Sequence, residues 1–131
     1  MQDSMTLGPP GKQACGSVVN NTLKSPGYPN KYPNYMDCDF QVPIPQNMTM
    51  NISFIDFDLE DESSCGYDYL KIINDGGQVV STYCGQKTGH HVLLSGDHVV
   101  MKFHSDGGDQ SKGFLIYFTA VPHGKYNHNY N

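Results

Sequence analysis

Apolar and polar residues alternate along much of this chain with a period of two. Met48, Met50, Ile52 and Phe54 alternate with Thr49, Asn51 and Ser53, the pattern of a strand that buries one face. The row then slips, because Ile55, Phe57 and Leu59 carry it on one residue out of step. That slip predicts a bulge near Phe54-Ile55, a feature often found beside functional sites. Val99, Met101 and Phe103 alternate with Lys102 and His104, and Phe114, Ile116 and Phe118 alternate with Leu115, Tyr117 and Thr119. Leu70-Lys71-Ile72-Ile73 and Val79-Val80-Ser81-Thr82-Tyr83 flank Asn74-Asp75-Gly76-Gly77, a hairpin signal. Pro26, Pro29, Pro33, Pro43 and Pro45 break the first third, and no stripe of helical period survives anywhere. Short strands separated by turns predict an all-β sandwich.

A chain of 131 residues makes one domain with a core of useful size. Residues 1–14 read as an unstructured leader or linker. Its Gly8-Pro9-Pro10-Gly11-Lys12-Gln13 forms two collagen-like triplets, too few for a triple helix. Residues 15–121 carry the strand pattern, and 122–131, rich in Asn, Tyr and His, read as a flexible tail. The N-terminus lacks the basic-then-apolar order of a signal peptide. No apolar run approaches the roughly 20 residues of a membrane span, so membrane insertion is not expected.

Charge narrows the choice of partner. Thirteen Asp and Glu oppose eight Lys, with no Arg, for a net charge of −5. Nucleic-acid readers rely on Arg forks and basic patches, so that class is excluded. An acidic surface favours cations instead, either metal ions or a partner's basic side chains. Asp58, Glu60, Asp61, Glu62 and Asp68 crowd around Cys65, and a second acidic loop, Ser105-Asp106-Gly107-Gly108-Asp109, follows a later strand. Hard carboxylate oxygens offered by two loops suit calcium, which takes roughly six to eight oxygen ligands; magnesium demands stricter octahedral geometry. Glu60 and Asp68 converge if residues 61–67 loop around Cys65. Asp106 and Asp109 sit on Gly107-Gly108, where the backbone folds tightly. Asp56, Asp58, Asp61 and Glu62 read as solvated surface charge.

Cys15, Cys38, Cys65 and Cys84 form no CxxC pair and fit no common zinc spacing. An even number of widely spaced cysteines predicts two disulfides, an oxidising compartment and hence a secreted protein. Three pairings are possible. The nearest-neighbour one closes loops worth about 3 kcal/mol each in the chain-entropy model. Glycosylation sequons at Asn20, Asn47 and Asn51 agree with secretion. No HExxH, GxSxG or phosphate-binding glycine loop is present, so the chain is read as non-catalytic. His98 and His104 share a strand face but stand roughly 20 Å apart at strand rise, too far to share a zinc ion.

Several motifs in order add a family resemblance. They are Ala14-Cys15-Gly16, Ser25-Pro26-Gly27-Tyr28-Pro29, Tyr32-Pro33, Cys38, Phe57-Asp58-Leu59-Glu60, Cys65-Gly66-Tyr67-Asp68-Tyr69, Tyr83-Cys84-Gly85, Phe103-His104-Ser105-Asp106 and Gly113-Phe114. Over residues 15 to about 121 the chain resembles a CUB domain of the calcium-binding type. The resemblance implies a jelly-roll-like sandwich of two antiparallel sheets with disulfides Cys15–Cys38 and Cys65–Cys84. It implies one calcium ion held by Glu60, Asp68 and Asp106, with the Gly108 carbonyl as backbone ligand. Asp109 stands where several members carry Asn, which adds a charge. Tyr32 takes the place of a tyrosine that braces the site. Partner binding is expected through Tyr32, Glu60 and Asp106, with calcium-ordered carboxylates accepting a Lys or Arg of an extracellular protein. The rival expectation is a structural or glycan-binding secreted protein, as in family members that lack the full acidic set.

Overall fold

The computed structural model describes residues 15–122. Eight strands follow one another: β1 (Thr22–Lys24), β2 (Asp37–Pro43), β3 (Met48–Asp58), β4 (Tyr69–Ile73), β5 (Val79–Tyr83), β6 (His91–Ser95), β7 (His98–His104) and β8 (Gly113–Pro122). They form two four-stranded sheets, ordered β1-β8-β3-β6 and β2-β7-β4-β5. Every pairing is antiparallel. This is the all-β sandwich the alternation predicted, in the jelly-roll-like form of two antiparallel sheets that the resemblance implied. Pro122, assigned to the tail, instead ends β8 opposite Met48. The leader 1–14 and the rest of the tail, 123–131, lie outside the described residues.

The period-two rows become the inner faces. Phe40 and Val42 of β2, Ile52 and Phe54 of β3, Leu70 and Ile72 of β4, Val99, Met101 and Phe103 of β7, and Phe114, Ile116 and Phe118 of β8 form the core. The slip in β3 is a bulge, since its register with β8 shifts between Phe54 and Asp56. Ile55 does not continue the buried row as expected. It is 52% exposed, and the row resumes at Phe57 and Leu59. One extra residue turns Ile55 out and returns Phe57 to the core.

Three strands were not foreseen. β2 lies among the prolines, and its Pro43 falls on the last residue of an edge strand, where a missing N–H is tolerated. β1 is only three residues long, and β6 lacks buried residues, alternating between exposed and half-buried.

Both expected disulfides form. Cys15–Cys38 ties the start of the described chain to β2, and Cys65–Cys84 joins the segment after β3 to the end of β5. An aromatic column runs through the core from Phe54 to Phe57 (4.9 Å between ring centroids), Phe57 to Phe114 (6.1 Å), and Phe114 to Phe103 (5.2 Å). It ends with Tyr32 set edge-on to Phe103 at 5.3 Å. Edge-to-face and stacked rings hold fixed geometries, so the Tyr32 hydroxyl is aimed by the core itself.

Candidate metal centre

Four segments meet where that hydroxyl emerges. Tyr32 donates to Asp68 Oδ2 at 2.6 Å and accepts from the Glu60 N–H at 3.0 Å. Asp68 Oδ1 accepts from the Asp106 N–H at 2.9 Å. One phenol and one carboxylate thus join the Pro-rich segment, the end of β3, the start of β4 and the loop after β7. Tyr32 and Asp68 are each only 1% exposed. Tyr32, expected to touch a partner, is therefore out of a partner's reach. Its contribution passes through Asp68 and Glu60.

Local structure fixes each acid. Glu60 follows Leu59, whose N–H and C=O exchange hydrogen bonds with Gly85 at 3.1 Å each. Asp68 follows a loop held by Cys65–Cys84 and by Glu62. Glu62 Oε1 accepts from the Gly66 N–H (2.7 Å), the Ser64 hydroxyl (2.8 Å) and the Ser64 N–H (3.3 Å). Those bonds, the one from Gly66 foremost, hold the Glu62 carboxyl below its ordinary pKa. Glu62 was read as solvated charge, but it organises its loop. Asp56 departs from that reading too, bonding Lys112 at 2.6 Å and the Tyr28 hydroxyl at 2.6 Å.

The second acidic loop is sewn to the Pro-rich segment. Ser105, fully buried, donates its hydroxyl to the Pro33 carbonyl (2.7 Å) and accepts from the Met36 N–H (2.9 Å). The Ser105 N–H donates to Met36 O (2.9 Å), and the Tyr35 N–H donates to Asp106 O (3.1 Å). Asn34 bridges Gly107 O and Gln110. Sequence reasoning gave these residues no role. Ser105 stood inside a recognised motif, but its partners lie some seventy residues away in the chain.

The outcome is a tight acidic group. Glu60, Asp68 and Asp106 each place a carboxylate oxygen within 4.8 Å of the others. Glu60 Oε1 is buried with no hydrogen-bond partner. Gly108 lies against the group, its N–H donating to Asp106 Oδ1 at 2.9 Å, and a Cβ there would sit 4.0 Å from Glu60 Oε2. Asp109 is exposed and outside the three. Burial raises the pKa of Glu60, and the charges of Asp68, Asp106 and Asp109 raise it further. Burial also raises Asp68, although the bonds from Tyr32 and Asp106 oppose it. Burial and the bond to Asp68 push the Tyr32 phenol up.

Raised carboxyl pKa values fix the sign of a stability effect. In the metal-free protein, the stabilising contribution of these two acids is full below the ordinary carboxylate range. It is lost as pH rises through their raised values. An orphaned buried carboxylate oxygen beside two further carboxylates, all hard donors, fits a calcium ion. His98 and His104 stand at opposite ends of β7, so they do not form a joint site.

The sequence pattern of the CUB domain family matches residues 15–118. The chain belongs to the CUB domain family. This CUB domain is 32% identical over 118 residues to human tumor necrosis factor-inducible gene 6 protein, a match covering 86% of the chain and 43% of that protein. It is 36% identical over 114 residues to human neuropilin-1, covering 80% and 12% respectively. It thus spans less than half the length of these curated relatives. Among solved structures it resembles the CUB1-EGF-CUB2 region of human MASP-1/3, with TM-score 0.71, 30% identity, and coverage of 77% of this chain and 41% of that one. The MASP-1 CUB2 domain bound to Ca2+ matches with TM-score 0.66 and 29% identity, covering 74% and 88%.

Proposed function

We propose that this CUB domain is a non-catalytic extracellular interaction module with one calcium ion at Glu60, Asp68 and Asp106. The observation that carries the proposal is the convergence of carboxylate oxygens from Glu60, Asp68 and Asp106 to within 4.8 Å of one another, with Glu60 Oε1 buried and unpartnered. The Ca2+-bound MASP-1 relative supports it. In this reading the Gly108 carbonyl is a backbone ligand, and the exposed Asp109 adds negative charge that acts on Glu60. Bound calcium supplies the positive charge that lets three neighbouring carboxylates stay ionised.

The residues do the positioning. Tyr32 and the Asp106 N–H fix Asp68 from both sides, and Asp68 in turn holds the loop after β7 against the end of β3. Glu60 and Asp106 are half-buried, so unlike Asp68 they remain partly accessible, and in this reading they accept a charge-assisted bond from a partner's Lys or Arg. Two disulfides support a secreted or extracellular setting, and one matched structure is an extracellular region, that of zebrafish Gpr126/Adgrg6. Of the sequons, Asn20 and Asn47 are exposed and suited to glycans. Asn51 is half-buried within β3, its amide donating to Ser53 Oγ at 3.2 Å, and is the least suited of the three.

Thermal melting in calcium against chelator tests the proposal. A ligand at about 100 times its Kd stabilises by roughly 2.7 kcal/mol. For a domain of about this size, that corresponds to a rise in Tm of roughly 10 °C or more. Superimposable melting curves in millimolar calcium and in chelator would count against it.

A further inference from the structure

Tyr35 carries a combination of features that folding alone does not require. Its φ is +59°, in the left-handed region, where a bulky non-glycine residue is strained. It is 67% exposed, the largest exposure among the large hydrophobic residues described, so burial does not offset that strain. Its place is nevertheless fixed. The backbone N–H donates to Asp106 O at 3.1 Å. The phenol lies over Gly107, so a Cβ there would require the Tyr35 side chain to move. An exposed aromatic ring thus lies over Gly107, the residue that follows Asp106 in the chain. Strain of this kind, kept where a smaller residue would relax it, clusters at binding sites.

We infer that Tyr35 is a partner-contact residue and that it gives the site a preference for arginine over lysine. This rests on the proposed calcium-ordered carboxylates. Asp106 and Glu60 offer charged oxygens, and the Tyr35 ring, lying over the neighbouring Gly107, offers a flat π-face. A guanidinium uses both features, stacking on the ring while its planar fork donates to carboxylate oxygens. An ammonium uses the carboxylates well and the ring less.

The test is an NMR titration of the calcium-loaded full chain with acetyl-Gly-Arg-Gly-amide and acetyl-Gly-Lys-Gly-amide. An exposed cation–π contact corresponds to a factor of about three in affinity. The arginine peptide should therefore bind about threefold tighter than the lysine peptide. Tyr35→Ala should lower arginine affinity to the lysine level, and Tyr35→Phe should retain the preference. Tyr117→Ala, on the other sheet, should change neither. Tyr35→Gly relieves the left-handed strain, so it should melt no lower than wild type while losing the preference, an outcome that a purely structural role for Tyr35 does not give. Arginine affinity unchanged in Tyr35→Ala, or a Tm several degrees lower in Tyr35→Gly, would overturn the inference. Calorimetric calcium binding by the same samples separates the two levels. Calcium bound with Tyr35 indifferent sinks this inference alone, whereas no calcium bound and no peptide bound sinks the reading beneath it as well.

Discussion

Asp68→Asn is expected to abolish calcium binding and yet leave the metal-free domain folded. Asp68 accepts from two donors, the Tyr32 hydroxyl and the Asp106 N–H. An amide keeps one acceptor oxygen for the Asp106 N–H, while its NH2 group faces the Tyr32 hydroxyl, which gives up its acceptor. Removing the charge also relieves the burial that raises the Asp68 pKa. Metal-free stability should therefore stay within about 1 kcal/mol of wild type, the net worth of a typical hydrogen bond. Calcium, in contrast, loses a charged ligand at the most buried of the three acids. The stabilisation by calcium should vanish, a loss of roughly 2.7 kcal/mol at 100 times the wild-type Kd. Asp68→Ala goes further, because it leaves two buried donors without an acceptor, each costing about 1–3 kcal/mol. Urea titrations of both variants, with calcium and with chelator, would check this. A calcium-dependent gain in Asp68→Asn equal to wild type would remove Asp68 from the site.

The second large effect comes from cutting the Cys65–Cys84 disulfide with paired Cys→Ala changes. Its sequence separation is 19, so chain entropy alone assigns it about 3 kcal/mol. The loop it closes contains Asp68, and the Glu62 carboxylate just before it accepts from the Gly66 N–H and shapes the approach to Asp68. The variant should lose about 2–5 kcal/mol of stability, and its calcium affinity should fall even where it remains folded. The same change at Cys15 and Cys38 should cost comparable stability but leave calcium affinity nearly unchanged, since that bridge reaches β2 and not the acidic loop. Denaturant melts and calcium titrations on the two pairs would check the contrast. Equal losses of affinity from both would show that the site senses global stability and not its own loop.

Much of this architecture could be read from residue order. Strict alternation in β3, β7 and β8 located the long strands, because a buried face must repeat every second residue. The break at Ile55 located the bulge but not its direction, since sequence cannot say which residue is expelled. β2 and β1 were hidden by neighbouring prolines and by brevity. The acids Glu60, Asp68 and Asp106 were legible because crowded carboxylates need a counter-charge. Glu60 and Asp68 stood out from Asp58 and Asp61 because a loop around Cys65 could bring them together, and the family resemblance then completed the ligand set. What stayed hidden was long-range: the Ser105 link to Pro33 and Met36, the Glu62 loop cap, and the Asp56–Lys112 pair. Tyr35 was invisible for another reason, since a left-handed φ at a tyrosine leaves no mark in sequence.

The most direct test of the calcium site is calorimetric titration of the chelator-treated protein in two buffers of different ionisation heat. The domain should bind one calcium ion. Raised pKa values at Glu60 and Asp68 mean that these carboxyls hold more protons than free ones at mildly acid pH. Binding must displace those protons, so affinity should weaken as pH falls and more protons should be released per ion near pH 5.5 than near pH 7.5. Glu60→Gln combined with Asp106→Asn should bind no calcium and release no proton. Absence of binding heat in the wild type, or an unchanged isotherm in the double variant, would contradict the assignment of calcium to Glu60, Asp68 and Asp106.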